Sequence, residues 1–216
     1  MTSNKISIAV ALLCLAGAAH ANLVLDGSFE AVTIASPGWG DYASLPGWTV
    51  TGGDLELRND LVGSAQDGHN FAELDSTNNV SISQAIDTIA GQSYTLTFWY
   101  SSRPTDPVYN QAWPRNVVPA SSNGLKIDLG DGAVSVYTPT ANTTPQNQWQ
   151  EYTATFVAAS AQTTLTFLAD GCSDSYGTSL DNISVVPTTV PEPAGLSLMV
   201  AGLLLVGGVA RRRKSA

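Results

Sequence analysis

Histidine and cysteine are nearly missing from this chain, at two each among 216 residues. Cys14 and His20 fall in the first 21 residues, which leaves His69 and Cys172 for everything beyond. A lone thiol cannot close an internal disulfide, so the fold must stand on its core alone. The same count excludes a His-rich zinc centre. There is no Gly-x-Ser-x-Gly elbow to seat a serine nucleophile. A Cys172–His69 dyad is arithmetically available. However, Asp170 and Asp174 flank the thiol in sequence, and neighbouring negative charge raises a thiol pKa rather than lowering it. This thin inventory of nucleophiles and bases argues against an enzyme, although paired carboxylates for glycoside hydrolysis stay open by count.

Positive charge is the next scarcity. Of nine Lys and Arg, five lie at the two ends, leaving Arg58, Arg103, Arg115 and Lys126 between residues 22 and 189. Seventeen acids stand against those four cations, a net charge of −13. Such a surface repels nucleic-acid phosphates and anionic lipid, which removes both as partners. It is compatible with neutral polysaccharide, and its acidic oxygens suit Ca²⁺. The middle also has no window of 3.6-residue amphipathicity.

The ends carry addresses. Met1 to Lys5 is a short basic start, Ile6 to Gly17 is uncharged and mostly apolar, and Ala19 and Ala21 supply the small residues a signal peptidase reads. That is a secretory signal over 1–21, with the mature chain beginning at Asn22; the alternative is an uncleaved anchor, for which the run is short. At the other end Val190-Pro-Glu-Pro193 precedes the uncharged stretch 194–210 and the basic cluster 211–214. Seventeen helical residues rise about 25 Å, the lower limit for the hydrocarbon core. Four adjacent cations would hold the extreme end in the cytoplasm. Glycines at 195, 202, 207 and 208 make this a thin span.

These three parts, in this order over 190–216, resemble a PEP-CTERM sorting tail. The resemblance implies that a membrane-embedded exosortase recognises Pro191, Glu192 and Pro193 and cuts nearby. An ordinary single-span anchor is the alternative. On the sorting reading, signal peptidase and exosortase are partners during export and the membrane is met only through the precursor tail. The mature protein then belongs at the cell surface or in the extracellular matrix.

Between the addresses, residues 22–189 are one domain's worth of chain. Ser93 to Ser102 sets Tyr94, Leu96, Phe98 and Tyr100 against Thr95, Thr97 and Trp99, the two-residue alternation of a half-buried strand. Leu125, Ile127 and Leu129 alternate likewise and end at Gly130-Asp-Gly132, a hairpin signal into Val134–Val136. Further strands are expected at 48–50, 54–57, 71–74, 80–84, 152–157, 163–167 and 183–186. Residues 38–46 and 103–123 read as long aromatic, Pro-bearing loops, where binding usually resides. Short strands with Gly, Pro, Asn and Asp between them predict an all-β antiparallel sandwich, a jelly roll.

Seven landmarks run in order: Asn22-Leu-Val-Leu-Asp-Gly-Ser-Phe-Glu30, Leu45-Pro-Gly-Trp48, Phe71-Ala-Glu-Leu-Asp75, Ser81-Ile-Ser-Gln84, Gly91-Gln-Ser-Tyr-Thr-Leu-Thr-Phe98, Trp149-Gln-Glu-Tyr-Thr153 and Leu180-Asp-Asn-Ile-Ser-Val185. Together they resemble the galactose-binding-like jelly roll of carbohydrate-binding modules. They are most similar to a domain-of-unknown-function family of plant cell-wall proteins and their bacterial relatives. The resemblance implies a structural Ca²⁺ held by Glu30 and Asp181; capping of strand ends by the same two acids is the alternative, and no cofactor is required. Sugars stack their CH faces on aromatic rings and bond their hydroxyls to polar side chains, which makes Trp39, Tyr42, Tyr109, Trp113 and Arg115 the carbohydrate-binding candidates. Trp48 and Trp149 are expected in the core. The leading reading is a non-catalytic glycan-binding domain on a surface-sorted protein; the alternative is a structural or adhesive exopolymer component with no defined glycan.

Overall fold

A computed structural model describes residues 21–130, 134–137 and 140–188. Among these residues twelve strands form two antiparallel sheets. They are β1 (Gly38–Tyr42), β2 (Ser44–Leu45), β3 (Trp48–Thr51), β4 (Leu55–Asn59), β5 (Asn70–Glu73), β6 (Ser81–Asp87), β7 (Ser93–Ser101), β8 (Leu125–Asp128), β9 (Val134–Tyr137), β10 (Gln150–Val157), β11 (Gln162–Ala169) and β12 (Ser179–Pro187). The first sheet runs β1-β4-β5-β12-β7-β10 and the second β2-β3-β6-β11-β8-β9. This is the expected all-β sandwich, a jelly roll.

The two-residue alternation does the sorting. On β7, Tyr94, Leu96, Phe98 and Tyr100 point inward, and Leu165 and Phe167 of β11 meet them from the other sheet. An aromatic chain crosses the core: Phe29 to Trp48 at 6.0 Å, Trp48 to Phe167 at 6.3 Å, Phe167 to Phe98 at 5.1 Å and Phe98 to Tyr152 at 4.8 Å between centroids. Each such ring contributes about 1.5–3 kcal/mol by burial, and tilted or edge contacts add to that. Trp48 donates its indole N–H to the Asp26 carbonyl at 3.1 Å, so its one polar atom is satisfied.

Three expectations need correction. Residues 38–42 are a strand, not loop: β1 pairs with β4 from Gly38↔Asn59 to Tyr42↔Leu55. Its inward positions are Gly38, Gly40 and Tyr42, so two of three carry no side chain and the strand signature vanishes from the sequence. The opening segment around Leu23 to Glu30, where the resemblance to carbohydrate-binding modules implies a first strand before Glu30, is a series of turns. It is nonetheless tied along β12, by Leu23 N–H to the Val185 carbonyl and Ile183 N–H to the Gly27 carbonyl, both 2.9 Å. Trp149 stays half-buried outside the core, edge-on to Phe71 at 5.9 Å, with its indole N–H on the Ser64 carbonyl at 3.0 Å.

Candidate functional site

The outward face of the first sheet is not a plain solvated surface. Partners directly across an antiparallel pair share a face, so register alone aligns Trp39, Arg58 and Phe71 in one row. The next row reads Asp41, Glu56, Glu73, Ser179 and Ser101. Loops fold back over its centre and bury Arg58 and Glu73, while Asp41 at the edge stays exposed. Arg58 is 2% exposed and Glu73 is fully buried.

Four charges interlock there. Arg58 donates one terminal N–H to Glu73 Oε2 at 2.5 Å and its Nε–H to Glu56. Arg103, just past the end of β7, reaches the same Glu73 oxygen at 3.4 Å. The Gly177 amide donates to the other Glu73 oxygen. Burial raises the Glu73 carboxyl to about 7 even though Arg58 and Arg103 pull it down. Burial also brings Arg103 down to about 10, with repulsion from Arg58 acting in the same direction. Desolvation works against the Arg58 charge, yet Glu73 and Glu56 outweigh it and hold its pKa above the ordinary value.

The loop after β7 is built around Asn110, a fully buried side chain. Its amide donates to the carbonyls of Pro104 at 2.6 Å and Asn116 at 3.0 Å, and its oxygen accepts from Arg103 Nε at 3.1 Å. Asp106 accepts the Val108 and Tyr109 amides at 2.8 and 2.9 Å, a local turn that sets the direction of Tyr109. Loop and sheet together leave a cavity of about 130 Å³ lined by Trp39, Glu56, Arg58, Leu61, Val62, Ser76, Arg103, Tyr109 and Ser175. Trp39 is 53% exposed and Tyr109 is 43% exposed, large values for aromatics beside a buried polar floor. A space of this size is smaller than a cofactor pocket, about 300–1,000 Å³. It suits one face or edge of a ring docking between two aromatic walls.

The structure therefore brings together Trp39 and Tyr109, seventy residues apart in sequence, and separates the other candidates from them. Tyr42 lies on the opposite face of β1 and packs against the core. Trp113 does not line the cavity; it stands edge-on to Tyr176 at 6.1 Å, and the Arg103 guanidinium lies over the Tyr176 ring at 5.3 Å. Arg115 is exposed, in a left-handed turn at φ 59°, and does not line the cavity. Arg58, Glu56, Glu73 and Arg103 were not singled out from sequence. Arg58 and Arg103 are half of the domain's four cations, and that scarcity was the one signal that could have found them.

Glu30 and Asp181 clamp one loop from its two ends. Asp181 Oδ2 accepts the Gln66 and Asp67 amides at 2.7 and 3.0 Å, and its Oδ1 accepts the Asn182 amide at 2.7 Å. Glu30 Oε1 accepts the His69 and Asn70 amides at 2.7 and 2.6 Å. Asp181 shares the outward face with Ser179 by alternation, and the register shift that follows it in β12 returns Ile183 and Val185 to the core. Burial raises the Asp181 carboxyl to about 7, against the pull of the amides it accepts. Five backbone amides occupy these carboxylate oxygens, so a Ca²⁺ here would have to compete with the bonds that shape the loop. Among the described residues no group of three or more His, Cys, Asp or Glu side chains gathers for a metal. Cys172 is free and exposed.

Ala21 is the only address residue within the described range; Ala19, Pro191, Glu192, Pro193, the span 194–210 and the basic end 211–214 lie outside it. Among the described residues no helix is long and apolar enough to cross a membrane.

Several solved structures are similar in fold. A family 61 carbohydrate-binding module complexed with β-1,4-galactotriose aligns over 77% of this chain and 99% of its own, at 14% identity and TM-score 0.44. A family 35 carbohydrate-binding module from Clostridium thermocellum aligns over 68% and 97%, at 12% identity and TM-score 0.41. A Podospora anserina β-(1,4)-mannanase with a family 35 module aligns over 73% of this chain but only 29% of its own, at 17% identity and TM-score 0.42. None of the curated proteins compared with the chain matches it. A family model does match, over residues 22–186, and on that match the chain belongs to the family described as "Protein of unknown function (DUF642)".

Proposed function

We propose that this is an exported, exosortase-processed protein of the cell surface or extracellular matrix, whose jelly roll is a non-catalytic glycan-binding domain. The observation that carries the reading is the cavity with Trp39 and Tyr109 exposed at its mouth and buried charges at its floor. A pyranose offers apolar CH faces and a rim of hydroxyls, and this wall-and-floor arrangement matches both. Arg58 Nη1 is buried with no hydrogen-bond partner. A donor left in that state costs about 1–3 kcal/mol, a cost that a ligand hydroxyl would relieve. The paired guanidiniums and glutamates are held by one another before any ligand arrives, so little ordering entropy opposes binding.

Glu56 and Glu73 share the Arg58 guanidinium instead of facing each other across an open cleft, which is not the arrangement for acid and base on a glycosidic bond. The domain would present its site on an outward sheet face, accessible from a surrounding polymer. Export and sorting rest on the tripartite ends of the sequence, and replacing Glu192 with Ala should block the shortening of the precursor. The glycan reading is tested by retention of the protein on a panel of neutral and acidic polysaccharides. Retention on at least one is expected; none on any would replace it with the structural exopolymer reading.

A further inference from the structure

Three oxygen acceptors in one corner of the domain are buried with nothing bound to them: Asp75 Oδ1, Asn79 Oδ1 and Asp174 Oδ1. They sit on two adjoining segments, the turn after β5, where Asp75 bridges to Asn79, and the loop between β11 and β12. Asp75 Oδ2 accepts the amides of Asp174 and Ser175 at 2.9 and 3.0 Å. The Asn79 side chain donates to the Gly171 carbonyl at 2.8 Å. Asp174 Oδ2 accepts from the Ser122 hydroxyl at 2.7 Å. Each of these three side chains thus has one end fixed and one oxygen left over.

Asp75 is fully buried, and among the described residues no Lys or Arg forms an ion pair with it. Arg58 and Arg103 pair with Glu73, and Lys126 pairs with Asp170. Asp174 is half-buried beside it, and two close carboxylates without a counter-charge repel each other. Two carboxylate oxygens and an amide oxygen, with no nitrogen or sulfur among them, are the donor type of a hard divalent cation and not of zinc or copper.

We propose that the Asp75–Asn79 turn and the 170–175 loop bind Ca²⁺, with Asp75, Asn79 and Asp174 as its side-chain ligands. Backbone carbonyls and water complete the roughly six to eight oxygens that Ca²⁺ takes. The site abuts the aromatic cavity: Ser76 and Ser175, each the next residue after a carboxylate ligand, line that cavity. Ser175 is also held at φ 69°, a conformation that a non-glycine residue keeps only when its surroundings enforce it. Ca²⁺ would therefore fix one wall of the glycan site, a consequence that rests on the function proposed above, whereas the metal site itself does not.

The test is thermal unfolding of the purified protein in chelator and in CaCl₂, together with direct calorimetric titration of CaCl₂. At a hundredfold excess over Kd the melting temperature should rise by about 5–10 °C. Asp174→Asn should abolish the rise. Asn79→Ala, which removes no charge, should weaken Ca²⁺ affinity severalfold, and this second variant decides the matter if Asp174→Asn folds poorly. Glu30→Gln should keep the rise. No Ca²⁺ effect on the wild type overturns the proposal; so does a rise that survives both Asp174→Asn and Asn79→Ala but is lost in Glu30→Gln. Failure to bind any polysaccharide while the Ca²⁺ response persists would sink the glycan reading and leave the metal site standing.

Discussion

Replacing Arg58 with Met should destabilise the domain more than any other surface-face substitution, and by an amount that depends on pH. The guanidinium is 2% exposed and bonded to both Glu56 and Glu73. Met keeps most of the stem that lies between Trp39 and Phe71 across the strands, so the loss is mainly electrostatic. Removing one member of a buried ion pair costs about 3–5 kcal/mol, because the other charge stays buried. For a domain of this length that is roughly 10 °C in melting temperature. Arg103, at 3.4 Å from Glu73, compensates only in part. Glu73 already stands at about 7 with Arg58 present, and losing the nearer of the two cations that lower it must raise it further. A carboxyl whose folded pKa exceeds its unfolded value is stabilising below the unfolded pKa and loses that contribution as pH rises through the folded one. The penalty should accordingly be largest at pH 8 and should shrink toward pH 5.5, where Glu73 folds in protonated. Urea unfolding of both proteins at the two pH values measures it. A penalty below about 1 kcal/mol at pH 8, or one equal at both values, would refute the buried-network account.

The wild type should follow the same sign. Glu73 and Asp181 both stand at about 7 in the folded state, so the urea midpoint should rise between pH 7.5 and pH 5, by at most about 1.4 kcal/mol per pH unit for each proton taken up; a steady fall over that range contradicts it. Gly68 has φ +67° and an added Cβ would lie 2.5 Å from Glu30 Oε1. Gly68→Ala should cost about 1–2 kcal/mol or more and loosen the 66–70 loop, as read by hydrogen exchange of the Gln66 to Asn70 amides; unchanged exchange would count against the clamp. Trp48→Ala should cost about 3–5 kcal/mol by emptying a core position, whereas Trp39→Ala, at a half-exposed position, should cost under about 1 kcal/mol; equal losses in chemical denaturation would show that the inward and outward faces are misassigned.

Most strands were legible because their inward residues are aromatic or branched and their outward residues are Thr and Ser. β7 shows this in full, and its expected bounds differ from the observed strand by one residue. β1 was hidden because glycine occupies two of its inward positions, so pattern reading saw only a Gly-rich aromatic loop. The jelly-roll class followed from the alternation and the turn residues, which are local signals. The candidate site is non-local and therefore largely illegible. Leu55-Glu-Leu-Arg58 reads as a strand with a solvated outer face, and it is loops distant in sequence, 103–123 and 171–178 among them, that return to cover it. Trp39 and Tyr109 were each singled out from composition, but their meeting depends on β1 lying beside β4 and on Asp106 turning its loop. Trp113 and Arg115 share that composition and were carried elsewhere by the same loop.

The claim that the Trp39–Tyr109 cavity is the glycan site is tested most directly by affinity electrophoresis in a gel containing a polysaccharide that retains the wild type. Trp39→Ala and Tyr109→Ala should each weaken retention about tenfold or more, equivalent to about 1.4 kcal/mol of binding. Ile89→Ala, an exposed apolar residue before β7, lies at the far end of that nine-residue strand from Arg103, about 30 Å away, and should change nothing. Undiminished retention of both aromatic variants, with their folding intact, would contradict the account.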